Sequence, residues 1–146
     1  MRPADVPRDA SSAALDAVGA SFIESHSDPI LLLDRNATIA LANASFSKLL
    51  GWRKDRLEGF HFLQCPSIPP YLVSQMEEFV ARVFAGENDE GGAMETIRVA
   101  DRGEEYKMLL TLTPVRNRAG VVRCWAIHLR DITKRKLPEE KLRQIV

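Results

Sequence analysis

Histidines, cysteines and paired carboxylates are the residues of this 146-residue chain that could do chemistry. The histidines are His26, His61 and His128, each far from the others in sequence. The cysteines, Cys65 and Cys124, are also far apart and show no metal-ligand spacing. We therefore expect two free thiols and no metal site. His128-Leu129-Arg130 superficially suggests a phospho-accepting histidine. The apolar alternation around it is that of a strand, whereas such a histidine belongs on an exposed helix. Glu77-Glu78 and Glu139-Glu140 read as solvated helix faces, not acid/base pairs. No Gly-rich phosphate loop, no Gly-x-Ser-x-Gly and no close cysteine pair occurs. The chain reads as no enzyme, and no catalytic residue is assigned.

Composition narrows the partners. Lys plus Arg equals Asp plus Glu at 20 each, so the net charge is zero and the positive field that binding a duplex requires is missing. Direct nucleic-acid binding is not expected. No apolar run approaches the ~20 residues of a membrane span, and Met1-Arg2-Pro3-Ala4-Asp5 is no signal peptide. A cytoplasmic location is expected. With 45% hydrophobic and 27% charged residues, the composition is that of one globular domain.

Elements must position the few polar groups. Ile30 to Leu33 is an apolar run bounded by Pro29 and by Asp34-Arg35-Asn36, which predicts a buried strand followed by a turn whose Asx side chains bond their own backbone. Thr38 to Ala42 returns as its hairpin partner. Asn43 is a helix N-cap ahead of Phe46, Leu49 and Leu50, and Gly51 suits the left-handed residue that ends the helix. Leu72, Met76, Phe79, Val80, Val83 and Phe84 recur at helical spacing, predicting a long amphipathic helix that ends at Gly86. Three strands follow: Met94 to Ala100, Glu104 to Val115 and Val121 to Asp131. Tyr106, Met108, Leu110 and Leu112 share one face of the middle strand. In the last strand Cys124, Ala126 and His128 point one way, and Trp125, Ile127 and Leu129 the other. Upstream, Leu15, Val18, Phe22 and Ile23 form the stripe of an N-terminal helix. That helix, or a partner's copy, is expected to cover Trp125, Ile127 and Leu129, with the same patch supporting a homodimer.

A strand ending in Asp, a second ending in Asn-Ala, a helix ending in Leu-Gly-aromatic and then Leu57-Glu58-Gly59 resemble the opening of a PAS sensor domain. Asp131-Ile132-Thr133 resembles the family's closing signature, so the likeness runs from about residue 21 to 136. It implies an α+β fold: a five-stranded antiparallel sheet, short helices, one long helix on the concave face, and an N-terminal helix capping the outer face. The expected organisation is a lead-in and cap over 1–27, a PAS domain over 28–133, and a linker helix to an effector over 134–146. Pro138 is expected to interrupt a continuous output helix. Phe62-Leu63-Gln64 resembles part of the flavin signature of the light-oxygen-voltage branch, but Phe60 stands at the position of its photoreactive cysteine. No histidine lies on the long helix where haem-binding members place a ligand. Flavin and haem are therefore not expected, and the purified protein should be colourless; a flavin or Soret band would contradict that.

The resemblance also implies a ligand cavity on the concave face, with Cys124, Ala126 and His128 turned towards it. His128 is expected to anchor a small, largely apolar ligand walled by Leu31, Leu33, Met76, Met108, Leu110 and Leu112. His61 and Arg98 are candidate second anchors, the parity of Arg98's strand being open. Asp131, Ile132 and Thr133 are expected to join the sheet to the output segment. The implied function is a sensory module controlling an attached histidine kinase, cyclic-dinucleotide enzyme or transcription regulator. The alternative is a cofactor-free dimerisation module with a filled core.

Overall fold

The computed structural model describes residues 19, 21–86 and 91–133. Leu15 and Val18 of the expected capping stripe and the linker over 134–146 lie outside these residues. Five strands form one antiparallel sheet in the order β2-β1-β5-β4-β3: β1 Ile30–Leu33, β2 Ile39–Ala42, β3 Gly92–Val99, β4 Glu105–Arg116 and β5 Val122–Asp131. Helix α1 is Ala44–Leu50 and helix α2 is Val73–Phe84. This is the expected α+β architecture, with each strand within two residues of its predicted limits.

Local chemistry accounts for the hairpin. Asp34 Oδ1 accepts the backbone N–H groups of Asn36 and Thr38 at 2.8 and 2.9 Å, the Asx bonding expected of the turn. The left-handed residue is Ala37 (φ 63°), not Asp34 or Asn36. Helix α1 opens on Asn43, whose side chain accepts Phe46 N–H, and closes on Gly51 at φ 80°. A Cβ on Gly51 would overlap the carboxylate of Asp101. Asp101 is exposed and can swing aside, so the cost of Gly51→Ala is mainly the left-handed backbone. We expect a loss of about 1–2 kcal/mol in urea denaturation.

The inner face of the sheet holds the core. Leu31, Leu33, Met108, Leu110, Leu112, Trp125, Ile127 and Leu129 are buried there in one cluster with Phe46, Phe62, Met76, Val80 and Val83. Trp125 stacks on Phe84 of α2 with ring centroids 5.0 Å apart. The long connection between the helices is tied to the end of β3, because Trp52 Nε1 donates to Val99 O at 2.8 Å and Val99 N to Ser67 O at 2.7 Å.

That placement reverses the expected faces of β5. Leu110 pairs with Leu129 and Leu112 with Ile127, so Trp125, Ile127 and Leu129 line the inner core, and His128 and Ala126 lie on the outer face opposite Thr111 and Thr113. The reason is a β-bulge. Next to the turn Arg116 pairs with Val122, but Val115 pairs with Cys124, leaving Arg123 as an extra residue. Had the turn's register continued, Leu110 would face His128. One inserted residue moves every later side chain to the other face. Phe22 and Ile23 therefore do not cover Trp125, Ile127 and Leu129; Phe22 is 67% exposed and meets the His26 ring edge-on.

Candidate functional site

The expected wall residues come together on the inner face: Leu31, Leu33, Met76, Met108, Leu110 and Leu112 are each at most 1% exposed. Among them stands Arg98. It pairs with Tyr106 across β3 and β4, which puts it on the same face as Met108, and it is only 1% exposed. Its guanidinium donates to Thr96 Oγ1 at 2.8 Å, Ile97 O at 3.0 Å and Met76 Sδ at 3.2 Å. It also lies over the Phe62 ring, 5.9 Å from the centroid. No carboxylate among the described residues forms an ion pair with it.

Burial draws the Arg98 pKa down from its ordinary value to about 10, against a smaller upward pull from the nearby Cys65. The group is still cationic at neutral pH. A buried cation is ordinarily paired, because the desolvation of an unpaired one goes unrepaid. Its polar partners here are a hydroxyl, a carbonyl and a thioether, all neutral. A planar fork of N–H donors in an apolar wall suits one bidentate carboxylate or phosphate. Burial pushes the neighbouring Cys65 thiol up, although its Sγ lies 3.0 Å from Ser67 Oγ. It is a neutral thiol, not a nucleophile.

The other expected anchors lie elsewhere. His128 is on the outer face, its Nε2 2.9 Å from Asp28 Oδ2; the bulge removes it from the inner wall. His61 caps the 3₁₀ turn Phe62–Gln64: its side chain accepts Leu63 N–H and its own N–H donates to Gln64 Oε1. A recess of about 530 Å³ opens between α2 and β3, lined by Gln75, Glu78, Phe79, Arg82, Val83 and the start of β3. It does not include Arg98.

At the end of β5 the triplet Asp131-Ile132-Thr133 forms a compact junction. Asp131 Oδ1 accepts Thr133 N–H at 2.9 Å, Ile132 N donates to Lys107 O at 2.9 Å, and Lys107 N donates to Thr133 Oγ1 at 2.9 Å. The carboxylate thus holds the backbone freed by the strand, and Ile132 is buried beneath it.

A family model described as PAS fold matches residues 23–137. No curated protein matches the chain. Among solved structures, the PAS domain of Bordetella pertussis BvgS superposes with a TM-score of 0.69 at 21% identity, covering 90% of this chain and 96% of that one. A phage VqmA–DPO complex superposes with a TM-score of 0.70 at 18% identity, over 90% of this chain and 59% of that one. An RNA-binding light-oxygen-voltage receptor matches with a TM-score of 0.66 at 23% identity over 99% of this chain. The chain spans only 40% of that receptor's length. At these identities the likeness is one of fold. Among the described residues no helix is long and apolar enough to cross a membrane.

Proposed function

The chain belongs to the PAS family, and from that premise we propose that it is the sensory module of a signalling protein whose ligand is a small, largely apolar molecule with one anionic group. The observation that carries this reading is Arg98, a guanidinium 1% exposed with no ion-pair partner among the described residues. The wall of leucines and methionines favours an apolar body. Met76 and Met108, unbranched and adaptable, are the side chains that give way to admit it. Among neighbours in fold, the phage VqmA forms a complex with DPO and the Vibrio cholerae VqmA forms a dimer, which is compatible with a small ligand and a homodimer here.

A thermal-shift screen of small aliphatic and aromatic carboxylates and phosphates tests the proposal. We expect at least one to raise the melting temperature of the wild type and to leave Arg98→Met unmoved. A panel that shifts neither, or both alike, would overturn it. The second reading, a cofactor-free dimerisation module, is favoured by the tight burial of Leu31, Leu33, Leu110 and Leu112. It predicts a dimer by sedimentation that no anion affects.

In this reading the signal leaves through β5 into an attached cytoplasmic effector, a kinase, cyclic-dinucleotide enzyme or transcription regulator. Asp131 then biases the arrangement of the linker. Hydrogen bonds to a charged group are worth about 1.5–3 kcal/mol, a bias of roughly tenfold or more between two arrangements. In the full-length protein Asp131→Ala should change output by about that factor while ligand affinity stays intact. Unaltered output in both free and liganded states would leave Asp131 a strand terminator.

A further inference from the structure

On the outer face the structure brings His26, Asp28 and His128 together, and we propose that they form a binding site for a zinc-class divalent transition-metal ion. One ligand atom from each lies within 4.8 Å of the other two. His128 Nε2 is 2.9 Å from Asp28 Oδ2, and the rings of His26 and His128 meet edge to face with centroids 5.5 Å apart. Metal–ligand bonds of about 2.0–2.2 Å need ligand atoms roughly 3.3 Å apart in a tetrahedral set, so closing on an ion requires only small side-chain shifts. Two imidazoles and a carboxylate suit Zn²⁺, Co²⁺ or Ni²⁺ rather than Mg²⁺ or Ca²⁺, which prefer oxygen. The side chains of His128 and Asp28 are 29% and 32% exposed, leaving water free to fill a fourth position.

The backbone behind the cluster is fixed by neighbours that are not ligands. The Ser45 hydroxyl donates to His26 O. Asn43 Nδ2 donates to Asp28 O at 2.9 Å, and Leu129 N to Pro29 O at 2.9 Å. Supports of this kind hold ligand side chains in place. One internal bond must yield. His26 Nδ1 accepts the Asp28 N–H at 3.0 Å. Ligation through Nδ1 takes that lone pair, and ligation through Nε2 moves the ring proton to Nδ1; either way the Asp28 N–H loses this acceptor. His26 and His128 are 102 positions apart. A bound ion would therefore clamp the segment that leads into β1 onto the strand that ends at Asp131, joining the domain's entrance to its exit.

The test uses the metal-stripped 146-residue chain titrated with ZnCl₂ and CoCl₂ by calorimetry and visible absorption. We expect one ion per chain, a cobalt d–d band, and a shift of the His26 and His128 imidazole resonances on zinc binding. His26→Gln and His128→Gln should each weaken binding by about tenfold or more and lose the band, while His61→Gln binds as the wild type does. His26→Gln removes no core contact, so it remains informative if His128→Gln fails to fold. No binding at a hundredfold excess of zinc, undiminished binding in His26→Gln, or Mg²⁺ binding as strongly as Zn²⁺ would overturn the proposal.

Discussion

Replacing Arg98 with methionine should make the free protein more stable, not less. A guanidinium whose pKa burial lowers to about 10 gives up about 3 kcal/mol at neutral pH. Methionine fills similar volume without that cost. Thr96 Oγ1 and Ile97 O lose their donor, which returns about 1–2 kcal/mol. The net gain is about 1–2 kcal/mol, or several degrees in melting temperature. Were Arg98 half of a buried ion pair, the same change would cost about 3–5 kcal/mol, because the partner charge would be stranded. The sign of the pH dependence follows from the lowered pKa. Above about pH 10, and up to the ordinary range of a free guanidinium, the unfolded chain binds the proton that the folded chain has released, so stability rises with pH there. Arg98→Met should therefore gain the same amount from pH 6 to 9, and its advantage should shrink only above about pH 10. Urea denaturation across that range reads both effects, and a destabilised variant would show that Arg98 has a structural counter-charge.

The opposite sign, and the larger magnitude, is expected at Asn43. It is fully buried, and its amide is used in full: Oδ1 accepts the N–H of Ile30 at 2.9 Å and of Phe46 at 3.1 Å, and Nδ2 donates to Ile23 O and Asp28 O, both at 2.9 Å. One side chain thus caps α1, pairs the first residue of β1 and holds the end of the N-terminal helix. Asn43→Ala removes the cap, worth about 1 kcal/mol, and leaves buried backbone groups unpaired at about 1–3 kcal/mol each. We expect a loss of about 3–5 kcal/mol, a large share of a typical domain's stability. Amide exchange should quicken first over residues 21–30, where three of the four bonds end. A loss below about 1 kcal/mol would mean that water replaces the amide and the site is less closed than its burial indicates.

Where sequence reasoning succeeded, the determinants are local. Asp34 bonds its own turn, Asn43 caps its own helix, and the 3.6-residue rhythm from Met76 to Phe84 lies within one element. These signals need no knowledge of what packs against them. What was illegible depends on distant pairing. The faces of β5 turn on one extra residue at Arg123, which hydrophobic alternation cannot reveal because both faces of that strand are apolar. Arg98's inner position follows from its pairing with Tyr106; the alternation of β4, which puts Tyr106 on the face of Met108, implies it once the β3–β4 register is known. The His26–Asp28–His128 cluster has no sequence signature at all, since β1 and β5 become neighbours only in the folded sheet. Asn43 was legible as a cap but not as the hub of three elements.

A small anion held against Arg98 on the inner face of this PAS domain is what we propose as its ligand. Native mass spectrometry of freshly purified wild type and Arg98→Met, sprayed side by side, would detect it. We expect a wild-type species heavier than the polypeptide by the mass of one small organic acid, released on denaturation and detected in negative-ion mode, and a bare polypeptide for Arg98→Met. Bare polypeptide in both, or the same adduct retained by Arg98→Met, would contradict it.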